Sequence, residues 1–465
     1  MKPLLLLLAG CAACSPLAAQ AESLSYEQAW QQLQSRSDSL AAARAGLESK
    51  RLQREGLKGL GGPVVSFNSS AYAYNANLNL DLGHINQQLG QLAQGLSGAL
   101  SALRIPSTAL QLPSSYAFQR HATGTTASVS ALWPLYMGGL GDATRGLIGA
   151  QAQEAQADAD KTQQDVATQL VQRYFGAQLA LRAAWLRQQA QRTLEQHDQA
   201  AGRMMAAGVI SRVERLQASV ALEDARRQAL KAQDDAELAA TALARTVRAE
   251  GQVSPSTALF VLTQPLEPLS HFQEAALRLH PGLNKVAAKK AQAEQLHQGE
   301  EALRKPQVFA FGSRELRSGN ADWVAGVGLR WTLYDAVDRN TLAAASLKQI
   351  EQAEHSDAQA RSDIALLVEQ NWRAVEQARR HFVASQPSLE LGREVLRLRQ
   401  AGLQQGTSTT LDLMDAQTRL TQAETEQAQA ANDYVQALAR LLQSCGLGQD
   451  FSRYLARADV KVPTP

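Results

Sequence analysis

Residues 133–218 of this chain occur a second time at 331–416, displaced by 198 positions without a gap. Trp133, Leu135 and Tyr136 fall on Trp331, Leu333 and Tyr334; Asp165, Val166 and Ala167 fall on Asp363, Ile364 and Ala365; Gly208 meets Gly406 and Ala218 meets Ala416. A constant offset over so long a run requires two structural units of one shape, and it restricts the fold more than any local signal. Ahead of each copy the segments near 24–57 and 269–303 match at an offset of 245. The fall in offset, 47 residues, places an insertion in the first unit within about 75–121.

Each copy opens on a strand pattern. In 322–334, Trp323, Ala325, Val327, Leu329, Trp331 and Leu333 alternate with Asp322, Gly326, Gly328, Arg330 and Thr332. Period two over this length argues a strand with two unlike faces. Its counterpart, about 126–136, carries Val129, Ala131, Trp133 and Leu135 on one face. Each is preceded by a partner strand, about 63–80 with Val65, Phe67, Ala71 and Ala73 on one side, and about 306–316. Trp133, Tyr136, Trp323, Trp331 and Tyr334 stand near the ends of the apolar faces, as in the aromatic girdle of a membrane barrel strand. An ordinary amphipathic strand on a soluble core gives the same alternation.

Each copy then enters a very long helical segment, about 139–205 and 336–403. The apolar positions Val166, Leu170, Tyr174, Ala177 and Leu181, and Ile364, Val368, Trp372 and Val375, step by three and four. That is a narrow coiled-coil-like seam, and Ala and Gln fill most positions around it. At 1.5 Å per residue such a segment reaches roughly 100 Å and needs partners along its length. Pro387 predicts a kink in the second copy. The segments end at the turns Ala207-Gly208-Val209-Ile210-Ser211 and Gln405-Gly406-Thr407-Ser408-Thr409, where Gly stops one helix and Ser or Thr caps the next. Second helices follow, about 213–247 and 411–443.

Residues 1–21 read as a secretory signal, with Lys2, a leucine run and the small-x-small site Ala19-Gln20-Ala21; Leu8-Ala9-Gly10-Cys11 also fits a lipoprotein signal. Cleavage after Ala21 leaves Cys445 as the only thiol, a small buried apolar residue by expectation. The first repeat then covers 22–248, a connection rich in Pro, Ser and Thr covers 249–268, the second repeat covers 269–445, and a tail covers 446–465. Within the insertion, Ile85, Leu89, Leu92, Leu96, Leu100 and Leu103 predict an amphipathic helix, packed on its own loop or forming a lid over a barrel mouth. No mature run of about 18 apolar residues predicts a transmembrane helix. A net charge of +2, with acids and bases interspersed, argues against nucleic acid as a partner.

Catalytic signatures are missing from the sequence. The eight His residues are scattered, with no zinc-protease motif, phosphate loop or nucleophile elbow. No cofactor and no metal site are expected. Met204, Met205 and Met414 cluster near the two Gly turns and read as adaptable packing or docking surface.

Four strands in lipid cannot stand open, because edge backbone groups find no partners there. Single-chain membrane barrels begin at about eight strands, so four demand an oligomer. With the duplication, the paired strands ahead of each long helix and the two tips, the chain resembles the TolC family of outer-membrane channels over nearly all of 22–445. The second tip, Gly406-Thr407-Ser408-Thr409-Thr410-Leu411-Asp412-Leu413-Met414-Asp415-Ala416, is similar to that family's Gly-Thr…Asp-x-x-Asp-Ala run. The resemblance implies a fold mainly α with a small β part: a homotrimer whose twelve-stranded outer-membrane barrel is continued by an α-helical periplasmic tunnel. It implies a Gram-negative outer-membrane location, contact with outer-membrane lipid, and docking onto a periplasmic adaptor and an inner-membrane pump, for efflux or one-step (type I) protein secretion.

By the same resemblance, Asp412 and Asp415 stand where family members form acidic rings at the periplasmic entrance. Such rings favour cations, and their crowded like charges raise carboxylate pKa values. The plainer reading is a pair of solvated acids at a helix start. Gly208, Val209, Ile210, Ser211, Arg212, Glu214, Gly406, Thr407 and Ser408 are the expected tip and adaptor-docking residues. Leu403 and Ser408 replace the Tyr and Arg that close the tip in one subgroup, so that lock does not transfer. Arg212 and Arg215 flank Glu214 and offer either pairing with Asp412 or Asp415 or an exposed surface pair. A periplasmic coiled-coil scaffold or adaptor is the competing reading; it accounts for the helices but not for the girdled, duplicated strands.

Overall fold

The computed structural model describes residues 22–85, 87, 115–316, 322–334 and 336–464. The signal segment lies outside these residues, as does nearly all of the helix expected over 85–103. In chain order the elements are β1 (Glu22–Leu24), α1 (Tyr26–Arg36), α2 (Asp38–Gly56), β2 (Val64–Asp81), β3 (Ser115–Tyr136), α3 (Leu140–Ala206), α4 (Arg212–Val247), β4 (Val253–Pro255), β5 (Phe260–Val261), α5 (Leu269–Leu279), α6 (Pro281–Ala302), β6 (Gln307–Glu315), β7 (Trp323–Arg330), α7 (Arg339–Gln404), α8 (Thr410–Ser444), α9 (Phe451–Ala456) and β8 (Val460–Lys461). They form two compact units, one of 59–143 and 298–339 and the other of the remaining chain.

The smaller unit is a four-stranded antiparallel sheet in the order β2-β3-β6-β7. The first hairpin is longer than the apolar pattern indicates: β3 starts at Ser115, paired with Asp81, not near 126. Residues 121–128 are mostly Ala, Thr and Ser around Gly124, so they carry no apolar alternation, yet the ladder is unbroken. The second hairpin is shorter than expected. β7 ends at Arg330, paired with Gln307, and the next partner would be Pro306, which has no N–H to donate. Trp331 and Tyr334 therefore lie beyond the strand, whereas their counterparts Trp133 and Tyr136 remain within β3. At the end of β3, Gly138 (φ +68°) admits a close approach: a Cβ there would stand 2.5 Å from the Ala302 carbonyl oxygen.

The larger unit is built on α3 and α7, of 67 and 66 residues, each followed by a second helix of its repeat. Helix α7 buries the narrow stripe Ile364, Val368, Val375, Phe382 and Leu389. It runs unbroken through Pro387, where the missing N–H interrupts the hydrogen-bond ladder and not the helix. Helix α3 buries more than the predicted seam. Val171 and Phe175 lie inside along with Val166, Leu170, Tyr174 and Ala177. At the two matching positions α7 carries Glu369 and Arg373, which pair with each other at 2.6 Å on its outer side.

The extra burial has a cause in the chain's ends. β1 pairs in parallel with β4, and β5 pairs with β8, so the start of the described chain, the inter-repeat connection and the tail meet on α3. Tyr174 donates its hydroxyl hydrogen to the Leu24 carbonyl at 2.7 Å and accepts from the Ser256 and Thr257 amides at 3.1 and 2.8 Å. Around it Tyr26, Phe175, Phe260 and Phe451 pack ring to ring at 5.0–5.8 Å between centroids. Cys445 is fully buried beside this nest, and burial pushes its thiol pKa up to about 12. Ser37, between α1 and α2, caps α2 through the Leu40 amide, and Pro281 opens α6 where a missing N–H costs nothing.

Candidate functional site

The sheet's register sorts its side chains into two faces. Val65, Phe67, Ala71 and Ala73 of β2, Ala127, Val129, Ala131 and Trp133 of β3, Ala310 of β6 and Trp323, Ala325, Val327 and Leu329 of β7 share one face. It is mostly apolar, Ser69, Thr125 and Arg314 being among its polar members, and exposed, with Phe67 at 64% and Trp323 at 75%. Phe67, Val129, Arg314 and Trp323 lie along one row across the four strands; Trp133 lies four rungs away, about 13 Å at 3.3 Å per residue. Trp331 turns back to its own hairpin, its indole N–H donating to the Arg304 carbonyl at 3.2 Å.

The opposite face is largely hydroxyl-bearing. Ser66 and Ser130 bond at 2.8 Å, Asn68 donates to Ser130 at 3.3 Å, and Ser70 bonds Thr126 at 2.9 Å. Among the described residues β2 pairs only with β3 and β7 only with β6, so both outer strands present free backbone edges. An exposed apolar face and two open edges on one sheet are unfavourable in water and demand a covering on both counts. No described helix is long and apolar enough to cross a membrane.

In the larger unit the two Gly turns form neighbouring tips. Gly208 (φ +75°) and Gly406 (φ +76°) hold the left-handed conformation that ends α3 and α7. Ser211 and Glu214 then form a reciprocal capping box on α4, the Ser211 amide donating to Glu214 at 2.7 Å. Thr409 and Asp412 do the same on α8, the Thr409 amide donating to Asp412 at 3.0 Å. Between the tips lies a cavity of about 230 Å³ whose lining includes Met204, Val209, Ile210, Leu403, Ser408 and Met414. Met414 is buried, and Thr410 directs its hydroxyl to the Met204 sulfur at 3.7 Å.

Both candidate ring acids have cationic neighbours. Asp412 lies 3.7 Å from Arg399, and Asp415 lies 2.9 Å from Arg419 one turn on. Bonds from the Thr409 backbone and hydroxyl, and then the Arg399 charge, pull the Asp412 carboxyl below its usual range. Within one chain this is opposite to the rise that crowded acids would produce. Arg215 is committed to Asp198 and Ser219 on its own hairpin, with its second nitrogen 3.0 Å from Asp198, and so does not serve Asp412 or Asp415. Sequence reasoning missed Arg399 and Arg419. The Asp415–Arg419 spacing was legible as a helical i, i+4 pair; the approach of Arg399 from the preceding helix was not. Among the described residues no cluster of His, Cys, Asp or Glu could hold a metal ion.

Residues 273–447 match the family model for outer membrane efflux proteins. No curated protein sequence matches the chain. Among solved structures it is similar to the outer-membrane channel OprN (18% identity, TM-score 0.72, covering 90% of this chain and 89% of that one). It is also similar to the CmeC outer membrane channel of Campylobacter jejuni (13%, 0.72, 93% and 88%) and to the open state of the MtrE outer membrane channel of Neisseria gonorrhoeae (18%, 0.70, 91% and 89%). At these identities the likeness establishes the fold, which this chain shares along nearly its whole length.

Proposed function

We propose that this chain is an outer-membrane efflux protein, the exit duct of a tripartite pump, built from three copies whose four-stranded sheets close edge to edge into one twelve-stranded barrel. The observation that carries this is the sheet whose two outer strands are unpaired among the described residues and whose one face is mostly apolar and exposed. Lipid covers the apolar face, sister copies satisfy the edges, and the hydroxyl face lines the bore. Trp133 and Trp323 sit at the two margins of the lipid band, with Tyr136, Trp331 and Tyr334 at the inner margin.

The helical hairpins extend into the periplasm, where the tips Gly208–Glu214 and Gly406–Ser408 meet a periplasmic adaptor and, through it, an inner-membrane pump. Asp412 and Asp415 from three copies form the entrance ring. Because Arg399 and Arg419 stand beside them, the ring's negative field is partly offset, and its preference for cations is correspondingly modest. Conduction of small molecules accounts for the two unlike faces of the sheet and its open edges.

The test is extraction from outer membranes in mild detergent. The expected species is a three-copy complex that survives SDS without heating and conducts ions in a planar bilayer. A soluble periplasmic monomer would sink the proposal. Asp412→Asn with Asp415→Asn is expected to reduce the channel's preference for potassium over chloride by a small factor, measured from the reversal potential in a salt gradient.

A further inference from the structure

On the hydroxyl face, three aromatic rings lie down over glycines on the neighbouring strand. Phe309 faces Gly328 and Phe311 faces Gly326 across β6 and β7, and Tyr72 faces Gly124 across β2 and β3. A Cβ at Gly328 would stand 2.5 Å from the Phe309 ring, one at Gly326 3.0 Å from Phe311, and one at Gly124 2.8 Å from the Tyr72 hydroxyl. Without those side chains the rings fold onto the sheet and turn a π face outward. The register puts all three on one side: Phe311 pairs with Leu132 and Leu132 with Val64, and Tyr72 shares the face of Val64. Val64 and Leu132 are exposed beside Phe311, and Tyr74 stacks on Tyr72 at 6.2 Å. The face thus has an apolar, aromatic station near Phe309 and Phe311, a hydroxyl-lined stretch, and a second aromatic station at Tyr72 and Tyr74. Among the described residues the charged side chains between the stations are those of Glu315 and the adjoining Asp322, both acidic, while Arg330 and Arg120 lie on the same face outside them, beyond Phe309 and Tyr74.

We propose that Phe309 and Phe311 are specificity-determining residues that select planar aromatic cations as cargo. The inference rests on the proposed function, since it takes the hydroxyl face as the bore. Flat rings keep a bore open while offering stacking surfaces, and the carboxylates above them complement a positive charge. A path for bare metal ions has no use for exposed rings, and an extended polypeptide needs no planar stations. The plainer role for these rings, shielding strand glycines, is separated from selection by the choice of variants.

The experiment is single-channel recording of the detergent-purified trimer in a planar bilayer, with ethidium added on the side of the helical tips and the residence time of each block measured. The F309A/F311A variant is expected to shorten that residence about tenfold, the loss of roughly one stacking contact, with potassium conductance not reduced. The F309L/F311L variant keeps apolar cover over both glycines and the SDS-resistant trimer, and is expected to shorten residence almost as much. Wild-type residence times in both variants would overturn the proposal, as would a wild-type channel that carries potassium without retaining ethidium. A wild-type trimer that carries no current removes the proposed function and this inference with it, which keeps the two failures distinct.

Discussion

The four long helices of the larger unit are two copies of one hairpin, yet they are buried crosswise. Helix α8 encloses Leu413, Met414, Tyr434, Val435, Leu438, Leu441 and Leu442, and α3 encloses Leu170, Val171, Tyr174 and Phe175. Their counterparts are shallow. Helix α4 buries mainly alanines and exposes Val213, Leu216, Val220, Leu230 and Leu238; α7 exposes Leu366, Val383, Leu391 and Leu398. Duplication therefore copied the hairpin but not its surroundings. The connection, the tail and the N-terminal strand all settle on α3 and α8, while α4 and α7 keep these apolar residues at the surface. One repeated sequence supplies an internal core in one half of its helices and an exposed apolar surface in the other, which the proposed three-copy assembly would cover.

The contrast can be broken by matched substitutions. Leu438→Ala on α8 is expected to lower the unfolding free energy of the refolded chain by about 2–5 kcal/mol in a urea titration. Leu230→Ala on α4, 63% exposed, is expected to change it by less than about 0.5 kcal/mol. Equal losses would erase the distinction between deep and shallow helices. Next in size is Tyr174→Phe, which removes the hydroxyl that joins Leu24, Ser256 and Thr257. A loss of about 1–3 kcal/mol in the same titration is expected, because buried backbone groups lose a partner. Leu216→Ser with Val220→Ser should leave that titration nearly unmoved and lower by several degrees the temperature at which the SDS-resistant trimer separates. If the trimer is unaffected, α4 is not an assembly surface.

The smallest effect concerns the tips, where the halves are most alike. Both Glu214 and Asp412 are held below the usual carboxylate range by their capping bonds. A group with a lowered folded pKa stabilises above its unfolded value, near 4, and that contribution fades as pH falls through the folded one. Protection against hydrogen exchange at the two tips, taken relative to the intrinsic rate at each pH, is therefore expected to fall as pH drops below about 4. Ser211→Ala and Thr409→Ala should each flatten the response at their own tip. Asp412 has Arg399 as a further partner, so the second tip should hold to slightly lower pH.

Much of the fold was legible because the duplication imposes one offset on many residues, and because alternation in 322–330 and 126–133 marks the apolar face whatever lies behind it. Strand ends were less legible. Trp331 continues the alternation, but hydrogen bonding stops at Pro306, on a partner the pattern of one strand does not contain. The early part of β3 was invisible for the opposite reason: a hydroxyl-rich run has no period to read. The nest around Tyr174 could not be foreseen, since Phe260 and Phe451 sit in short, aperiodic segments whose meeting depends on the whole chain. At the tips, Gly208, Gly406 and both capping boxes follow from local chemistry. The Arg399 contact joins two helices and has no local signature.

The pairing of β5 with β8 has a consequence for manufacture. Residues 260 and 261 wait for a partner made almost two hundred positions later, at 460 and 461. A chain cut short before residue 451 would lack both that strip and the Phe451 ring, leaving Phe260 and its neighbours open to chaperones and proteases. The strip at 460 and 461 thus ties the folding of the connection to a segment made much later in the chain.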